Sequence, residues 1–294
     1  MFPEERTALA ISAAEAERFA AALYGIAASA TTLPGEYDCN FHLRADDGRE
    51  FVLKCMHPTR EASFIEMQCA ALEHLGNHAA QLPMPRVQRI RQETQFAEIT
   101  DPSGQKRFVW MLSYLPGVTL EKTNPHSSEI LQDLGRFLGE LDTALQTFSH
   151  PALHRELKWD SSRAGWIRNQ LHHIAEPSGR ALVEYFLSLY DDEAEARRSD
   201  LRTGPIYGDA NDHNVLIGPA WPQPRRIAGL IDFGDMHHGW IASEPAIAAA
   251  YALLGKDDPL SIACDVARGF QAGEVAGGGR AECQPVAGRC DAAA

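Results

Sequence analysis

Two short acidic segments joined by an apolar stretch constrain the fold of this chain more than any other feature. The first is YGDANDHN (residues 207–214) and the second is IDFGD (residues 231–235), so Asn214 and Asp232 are eighteen positions apart. The intervening VLI and RIAGLI have the composition of β-strands, and Pro222-Gln223-Pro224 predicts a turn between them. Such a hairpin would fold the sequence back on itself and bring Asn214 and Asp232 together.

These residue types suit the transfer of a phosphoryl group from a metal-bound nucleotide. Catalysis of that reaction consists of positioning and of neutralising spread negative charge, and Mg²⁺ prefers oxygen ligands. The D-x-x-x-x-N spacing of Asp209 and Asn214, followed by Asp232 at a strand end, would supply a carboxylate for the attacking hydroxyl and two ligands for the ion. The alternative is two ordinary turns beside short strands, because Asp and Gly are common there.

Composition limits the remaining possibilities. The 294 residues are enough for two lobes, and the formal net charge of −13 disfavours a nucleic-acid-binding surface. The charge suits a cationic small substrate but also serves solubility alone. No C-x-x-C pair occurs and no stretch reaches about 18 apolar residues, so we expect reduced thiols, no membrane span and a cytoplasmic protein. The six cysteines are at positions 39, 55, 69, 264, 283 and 290.

The N-terminal part, residues 1–115, is predicted to be a small α+β lobe. Ser12 is a candidate N-cap for a helix over residues 12–27, and Asp46-Asp47-Gly48 predicts a hairpin turn. Helical spacing of apolar residues predicts a second helix over residues 60–75. Apolar strands are expected around Ile99 and at FVWMLSYL.

The part over residues 116–270 is predicted to be mainly helical. The segment SSEILQDLGRFLGELDTAL has one apolar stripe, and SEPAIAAAYALLG predicts a buried helix. Further helices are expected over residues 161–175 and 180–198. Residues 271–294 lack apolar periodicity and are rich in Gly and Ala, so we expect a disordered or aberrant tail.

With these motifs, the chain resembles the aminoglycoside phosphotransferase-like kinases, which are relatives of the protein kinases. YGDANDHN resembles their catalytic loop, with Tyr207 where His is usual, and IDFGD resembles their metal-binding loop. LPGEYDCNFHL, FVLK, IEMQCAALEHL, LKWD and IDFGDM resemble the hydroxylysine kinase-type branch, over about residues 10–270. That branch also occurs as the front domain of longer proteins with a pyridoxal-phosphate aminotransferase-like domain.

The resemblance implies an α+β, two-lobed protein-kinase-like fold. Its small N-terminal lobe would have an antiparallel sheet and one helix, and its larger C-terminal lobe would be mainly helical. It makes Asp209 the catalytic base or hydroxyl-orienting residue and makes Asn214 and Asp232 the Mg²⁺ ligands. Tyr207 would support the loop without transferring protons.

The resemblance also implies a nucleotide site for ATP or GTP. Lys54 in FVLK matches the lysine that contacts the α- and β-phosphates, although an edge-strand surface lysine is the alternative. Glu66 would pair with Lys54, with Glu61 as the rival partner. No G-x-x-x-x-G-K-[ST] or G-x-G-x-x-G is present, so a P-loop mechanism is excluded.

Two further segments are assigned to the nucleotide. Gly35 in PGEYDCNF could let backbone N–H groups approach phosphate, and an ordinary hairpin explains the same residues equally well. The segment MLSYLPG resembles the linker between lobes, where backbone groups of Ser113 to Leu115 would bind the base. The alternative for that segment is a core strand ending at a turn.

The acceptor is expected to be a small-molecule hydroxyl, because HHGWIASEPAIAAAY follows IDFGDM directly and leaves little room for an activation segment and a peptide platform. The resemblance to the hydroxylysine kinase-type branch implies an amino alcohol such as 5-hydroxylysine. Asp160 and Asp235 are candidates to bind its ammonium group, and for each a structural role is the alternative. His237 and His238 have no partners at a spacing suited to a metal. The competing interpretations are an aminoglycoside or other small-alcohol phosphotransferase, an inactive nucleotide-binding module, and a poorly folding fragment.

Overall fold

The computed structural model describes residues 11–219, 221 and 225–276 of this chain, and the chain divides into two compact units. The predicted turn at Pro222-Gln223-Pro224 lies outside the described residues. Unit 1 consists of Met1–Val118, Leu216–Pro219 and Ala228–Gly234, and unit 2 consists of Thr119–Val215, Ala220–Ile227 and Asp235–Ala294.

The described residues form six α-helices and eleven strands, together with several short 3-10 or π segments. The α-helices are α1 (Ala13–Phe19), α2 (Ala62–His78), α3 (Ser128–Leu145), α4 (Pro177–Leu189), α5 (Ser243–Ala252) and α6 (Pro259–Ala276). The strands are β1 (Ala28–Leu33), β2 (Cys39–Ala45), β3 (Glu50–Cys55), β4 (Val87–Gln88), β5 (Phe96–Thr100), β6 (Lys106–Ser113), β7 (Val118–Thr119), β8 (Thr203–Ile206), β9 (Val215–Ile217), β10 (Ile227–Leu230) and β11 (His237–Trp240). Short 3-10 or π segments cover Ala20–Tyr24, Leu120–Lys122, Pro151–His154, Ser161–His173, Tyr190–Ala194 and Glu195–Asp200.

A six-stranded sheet forms the centre of unit 1. Its order is β1-β2-β3-β6-β4, with β5 also pairing with β6, and the described pairs are antiparallel. Strands β2 and β3 flank the predicted turn at Asp46-Asp47-Gly48. Alternate residues Phe41, Leu43, Phe51 and Leu53 are buried in one apolar cluster, since side chains of a strand alternate between its faces. The expected mixed fold with an antiparallel sheet is confirmed.

Helix α1 begins where the sequence predicts. The Ser12 hydroxyl accepts a hydrogen bond from the Glu15 N–H, and the Glu15 carboxylate accepts one from the Ser12 N–H, which completes a capping box. The α-helix is shorter than predicted, because the chain continues from Ala20 to Tyr24 as a π segment that ends at Gly25. Unit 1 therefore contains α1 in addition to α2, the one helix expected from the resemblance.

Helices α3 and α6 pack closely in unit 2 because glycines face each other. A Cβ atom at Gly135 would lie 2.0 Å from the Val266 carbonyl oxygen, and one at Gly269 would lie 2.1 Å from the Gln132 carbonyl oxygen. Helix backbones can approach this closely only where no side chain intervenes. The predicted apolar stripe of α3 is buried, including Leu134.

The C-terminal elements correct two predictions. Helix α6 extends to Ala276, so the predicted tail begins at least six residues too early, and the rest of it, residues 277–294, lies outside the described residues. The predicted helices over 161–175 and 180–198 are only partly α-helical. The segment Ser161–His173 is 3-10 with a break at Arg163, and α4 gives way to π and 3-10 turns after Leu189.

Two expectations from composition can be compared with the described residues. No described helix has both the length and the apolar character needed to cross a bilayer. Cys39, Cys55 and Cys69 are free and buried, as expected for reduced thiols. Cys264 is disulfide-bonded, so that expectation is wrong at this position.

We expect Gly135→Ala to destabilise unit 2, because the new methyl group would meet backbone atoms of α6 that cannot move independently. Overpacking of this kind costs about 1–3 kcal/mol. Gly76→Ala in α2 is the matched control, since its Cβ would meet only the flexible guanidinium of Arg86 and the change adds up to about 1 kcal/mol of helix propensity. Denaturant unfolding measures both, and equal effects would contradict close packing at Gly135.

Candidate active site

The loop after β8 holds the Asp209 carboxylate in place through two amide side chains. Asn211 Nδ2 donates to Asp209 Oδ1 at 2.7 Å, and Asn214 Nδ2 donates to Asp209 Oδ2 at 2.6 Å. The side-chain oxygen Oδ1 of Asn211 accepts hydrogen bonds from the backbone N–H groups of His213 and Asn214. The D-x-x-x-x-N spacing therefore corresponds to a direct contact between its two ends, within unit 2.

A glycine allows this loop to turn away from β8. Gly208 has φ +77°, a left-handed conformation that glycine adopts without the steric cost of a side chain. A Cβ atom there would also lie 2.9 Å from the His237 ring and 3.1 Å from the Asp235 carbonyl oxygen. His237 Nδ1 in turn lies 2.8 Å from that same carbonyl oxygen. Backbone conformation and packing thus both require glycine at this position.

A buried glutamate on α5 binds the backbone of this loop. The Gly208 N–H donates to Glu244 Oε2 at 3.0 Å, and Glu244 is fully buried. Burial raises the pKa of Glu244 to about 7, while hydrogen bonds from the backbone of Gly208 and Tyr207 act in the opposite direction. Tyr207 itself is buried. Glu244 therefore satisfies backbone groups that the turn would otherwise leave unpaired.

In unit 1, Lys54 forms an ion pair with Asp232. Lys54 Nζ lies 3.3 Å from Asp232 Oδ1, and the Lys54 side chain is only 9% exposed while that of Asp232 is 48% exposed. Lys54 also lies over the Trp110 ring, at 5.9 Å from its centroid. This burial excludes the alternative of an exposed surface lysine. The ion pair with Asp232 supplies the partner that a buried ammonium requires.

The backbone at Asp232 is itself unusual. Asp232 has φ +59°, which is uncommon for a residue other than glycine. Its Oδ1 also accepts the Gly234 N–H at 3.2 Å. The Lys54 ammonium, helped by the Gly234 N–H, lowers the pKa of Asp232 below its ordinary value. The turn therefore presents an ionised carboxylate to Lys54.

The predicted pairing of Lys54 with Glu66 is not formed. Glu66 is exposed on α2, and among the described residues the ion-pair partner of Lys54 is Asp232. Glu61, the rival partner, is the exposed residue that precedes α2 and makes no side-chain cap. Glu66 lies near Lys54 in the sequence, whereas Asp232, which pairs with Lys54 in the structure, is 178 positions away along the chain.

Gly35 has a structural explanation in the connection between β1 and β2. A Cβ atom at Gly35 would lie 2.3 Å from the Asp38 carbonyl oxygen, so the tight connection itself requires glycine. The Asn40 side chain donates to the Pro34 carbonyl oxygen at 3.2 Å and closes this connection. These contacts favour the ordinary-hairpin alternative, and a phosphate contact at Gly35 stays a prediction.

The end of β6 leaves one backbone donor available in the predicted linker. The Ser113 N–H donates to the Arg86 carbonyl oxygen, and the Tyr114 N–H donates to the Glu50 carbonyl oxygen. The Ser113 hydroxyl accepts from the Arg86 N–H at 2.8 Å. Within the described part of the chain, the Leu115 N–H has no such partner. Among the backbone N–H groups of Ser113 to Leu115, that of Leu115 is thus the one without a partner in the described residues, and binding of the base by backbone groups of this segment stays a prediction.

The two predicted metal ligands each retain an oxygen without a hydrogen bond. The Asn214 side chain uses its nitrogen for Asp209, which leaves its carbonyl oxygen unpaired among the described residues. Asp232 uses Oδ1 for Lys54 and Gly234, which leaves Oδ2. Amide and carboxylate oxygens suit Mg²⁺, so this donor chemistry fits the ion. That both residues bind one cation stays a prediction.

The two predicted substrate carboxylates differ in their surroundings. Asp160 Oδ1 accepts the Ser162 N–H at 2.9 Å and its Oδ2 lies 3.2 Å from Arg163, so both oxygens have partners within unit 2. These contacts favour a structural role. Asp235 is partly exposed, and its backbone carbonyl oxygen bonds His237. His237 is buried, and burial lowers its pKa, so the ring is neutral.

Sequence reasoning missed two residues that hold the Asp209 loop. Asn211 lies inside the recognised motif, but motif spacing alone gave it no role. Glu244 is the one charged residue of the predicted helix SEPAIAAAYALLG, and a lone acid in a buried apolar helix requires a partner. That pattern was the available signal for Glu244.

We expect Gly208→Ala to destabilise the protein more than Gly48→Ala does. Both glycines have positive φ, so both changes carry the left-handed cost of about 1–2 kcal/mol. Only at Gly208 does the new Cβ atom meet other atoms, since nothing lies within 4 Å at Gly48. Chemical denaturation of both variants isolates the steric contribution, and equal losses would contradict the packing of His237 against this loop.

Comparisons with known proteins agree with these motifs. Residues 29–285 match the family described as "Phosphotransferase enzyme family". Two similar proteins are named hydroxylysine kinase, one from Danio rerio (30% identity, covering 85% of this chain and 72% of that protein) and one from Mus musculus (29%, 81% and 68%). A solved structure of a microcompartment-associated aminopropanol kinase has a similar fold, with a TM-score of 0.71, 21% identity, and coverage of 89% of this chain and 81% of that chain.

Proposed function

Because the chain belongs to the phosphotransferase enzyme family, and so is a kinase, we propose that it transfers the γ-phosphoryl group of a nucleoside triphosphate to the hydroxyl of a small amino alcohol. The observation that carries this proposal is the Asp209 carboxylate, which two amide side chains hold in one orientation. A partly exposed carboxylate fixed in this way suits a group that must orient an attacking hydroxyl.

Asp209 acts as the base or orienting group for the acceptor. Its oxygens accept from Asn211 and Asn214, so the carboxylate does not rotate freely. Phosphoryl transfer involves little covalent chemistry by the protein, and most of the rate enhancement comes from position and charge. Glu244 contributes indirectly by holding the backbone at Gly208.

The nucleotide is bound by four residues, which are Lys54, Asp232, Asn214 and Leu115. The Lys54 ammonium faces the α- and β-phosphates, and the Leu115 N–H binds the base. Mg²⁺, held by the free oxygens of Asn214 and Asp232, would neutralise the charge of the phosphates. The Lys54–Asp232 ion pair gives each of the two charged side chains a partner in the absence of nucleotide.

The acceptor is a hydroxylated amino acid or amine of the 5-hydroxylysine type. Two similar proteins carry the name hydroxylysine kinase, and this chain matches about 70% of their length. The net charge of −13 favours a cationic acceptor over an anionic one. An assay of ATP and GTP consumption against amino alcohols and aminoglycosides tests this class, and activity with aminoglycosides alone would reject it.

Asp209→Asn should lower turnover by about 10²–10⁴-fold, the usual contribution of a positioned general base, and should leave nucleotide affinity nearly unchanged. Asp212→Asn is the matched control, because it makes the same change in charge on the same loop and its only described contact is a backbone one. Steady-state kinetics and nucleotide titration measure both variants. Normal turnover by Asp209→Asn would overturn the assignment.

Asn214→Ala should raise the Mg²⁺ concentration needed for half-maximal rate by about tenfold, which corresponds to the loss of about 1.4 kcal/mol of binding free energy. His213→Ala is the control, since its side chain is exposed on the same loop. An unchanged Mg²⁺ requirement in Asn214→Ala would remove Asn214 from the set of metal ligands. Magnesium titration of the initial rate gives the answer.

A further inference from the structure

Helices α3 and α5, which pack against each other, each bury one carboxyl group, and that of α5 binds the loop that carries Asp209. Asp142 on α3 is 1% exposed, and Glu244 on α5 is 0% exposed. The two helices pack against each other, and the two carboxyl groups interact electrostatically. Asp142 has no part in the proposed chemistry, and its burial therefore needs an explanation.

Three of the four carboxyl oxygens of this pair have no hydrogen-bond partner among the described residues. They are Asp142 Oδ1, Asp142 Oδ2 and Glu244 Oε1, whereas Glu244 Oε2 accepts the Gly208 N–H. An ionised carboxylate buried without donors is very unfavourable, and two adjacent ones are more so. One proton held between the two groups would remove one of the two charges and would give two of these oxygens a hydrogen-bond partner.

The other charged groups around the pair do not remove this cost. Glu274 on α6 is buried and forms an ion pair with Arg202, which precedes β8. Burial raises the pKa of Asp142, the neighbouring Glu244 and Glu274 raise it further, and Arg202 opposes them. Arg202 is already paired with Glu274 and makes no hydrogen bond to Asp142.

We propose that Asp142 and Glu244 share one proton, which Asp142 holds and donates to Glu244 Oε1, so that Glu244 stays ionised and binds the backbone at Gly208. Asp142 is then a positioning residue: it acts on Asp209 through Glu244 and the loop backbone, and it touches neither substrate nor nucleotide. Loss of the proton at alkaline pH leaves two adjacent buried carboxylates. A second proton at acid pH weakens Glu244 as an acceptor.

The sign of the resulting pH dependence follows from linkage. In the unfolded chain both groups ionise near pH 4, whereas the folded protein retains their proton at higher pH. The folded state therefore binds more protons than the unfolded state above about pH 4. The contribution of this pair to stability is present at low pH and is lost as pH rises through the raised folded pKa. Asp142→Asn removes this loss, because an amide donates at every pH.

The matched control is on the same helix. Asp133 is also buried on α3, but its carboxylate oxygens accept from Arg136, Arg226 and the Ile227 N–H, so they are paired. Unfolding is measured from about pH 6 to pH 9 for wild type, Asp142→Asn and Asp133→Asn. We expect Asp142→Asn to unfold at higher denaturant concentration than wild type, with a difference that grows with pH. We expect Asp133→Asn to be less stable at neutral pH.

The opposite result would overturn the proposal. If Asp142→Asn loses stability at pH 7 as Asp133→Asn does, Asp142 is ionised and no proton is shared. Asp142→Leu supplies a second comparison, because leucine has a similar size and no donor. Hydrogen exchange of a peptide covering residues 203–214 should be faster in Asp142→Leu than in Asp142→Asn. Equal exchange in the two variants would show that Asp142 does not position the loop.

A third measurement rests on the proposed function. If Asp209 acts as proposed, the decrease of kcat at alkaline pH should move upward by one pH unit or more in Asp142→Asn, with KM for the nucleotide unchanged. An unchanged profile would contradict the positioning role. Absence of activity in every variant would instead reject the proposed function, while the unfolding and exchange measurements would still test the shared proton.

Discussion

The hydrogen bond from the Gly208 N–H to the Glu244 carboxylate is the contact on which the candidate catalytic loop depends. A left-handed turn directs backbone N–H groups away from any strand partner, and a buried N–H without an acceptor is costly. Glu244, 36 residues further along the chain, supplies that acceptor from α5. The position of Asp209 therefore relies on a residue outside its own loop.

In unit 1, the other acidic segment also contains a left-handed residue that a polar contact stabilises. Asp232 adopts a left-handed conformation that few side chains tolerate, and its carboxylate is held by the Lys54 ammonium and the Gly234 N–H. The conformational cost is offset by charge pairing, as expected where strained backbone is retained at functional sites. In each unit, one long-range polar contact fixes one short acidic turn.

The sequence predicted the elements whose causes are local. Ser12 and Glu15 form the predicted cap, and the apolar stripe of α3 is buried, because capping and periodicity depend on neighbouring residues. Strands β9 and β10 pair as the predicted hairpin requires. The partner of Lys54 was predicted wrongly, because residue types near in sequence gave no information on a contact with Asp232. Strands β8 and β11 were not predicted either, because four residues are too few to show a clear strand pattern in the sequence.

Two of the residues that local reasoning missed, Glu244 and Asp142, share one property: each is a buried acid whose neighbours come from another part of the chain. Glu244 and Asp142 belong to helices whose other buried residues are mostly apolar, so a pattern of hydrophobicity counts them only as exceptions. Burying a carboxyl group requires either a donor or a proton, and that requirement has to be met by particular neighbours. An acid within the apolar pattern of a buried helix therefore predicts a polar contact from the sequence alone. In this chain the contact leads to the loop that the motif had already identified.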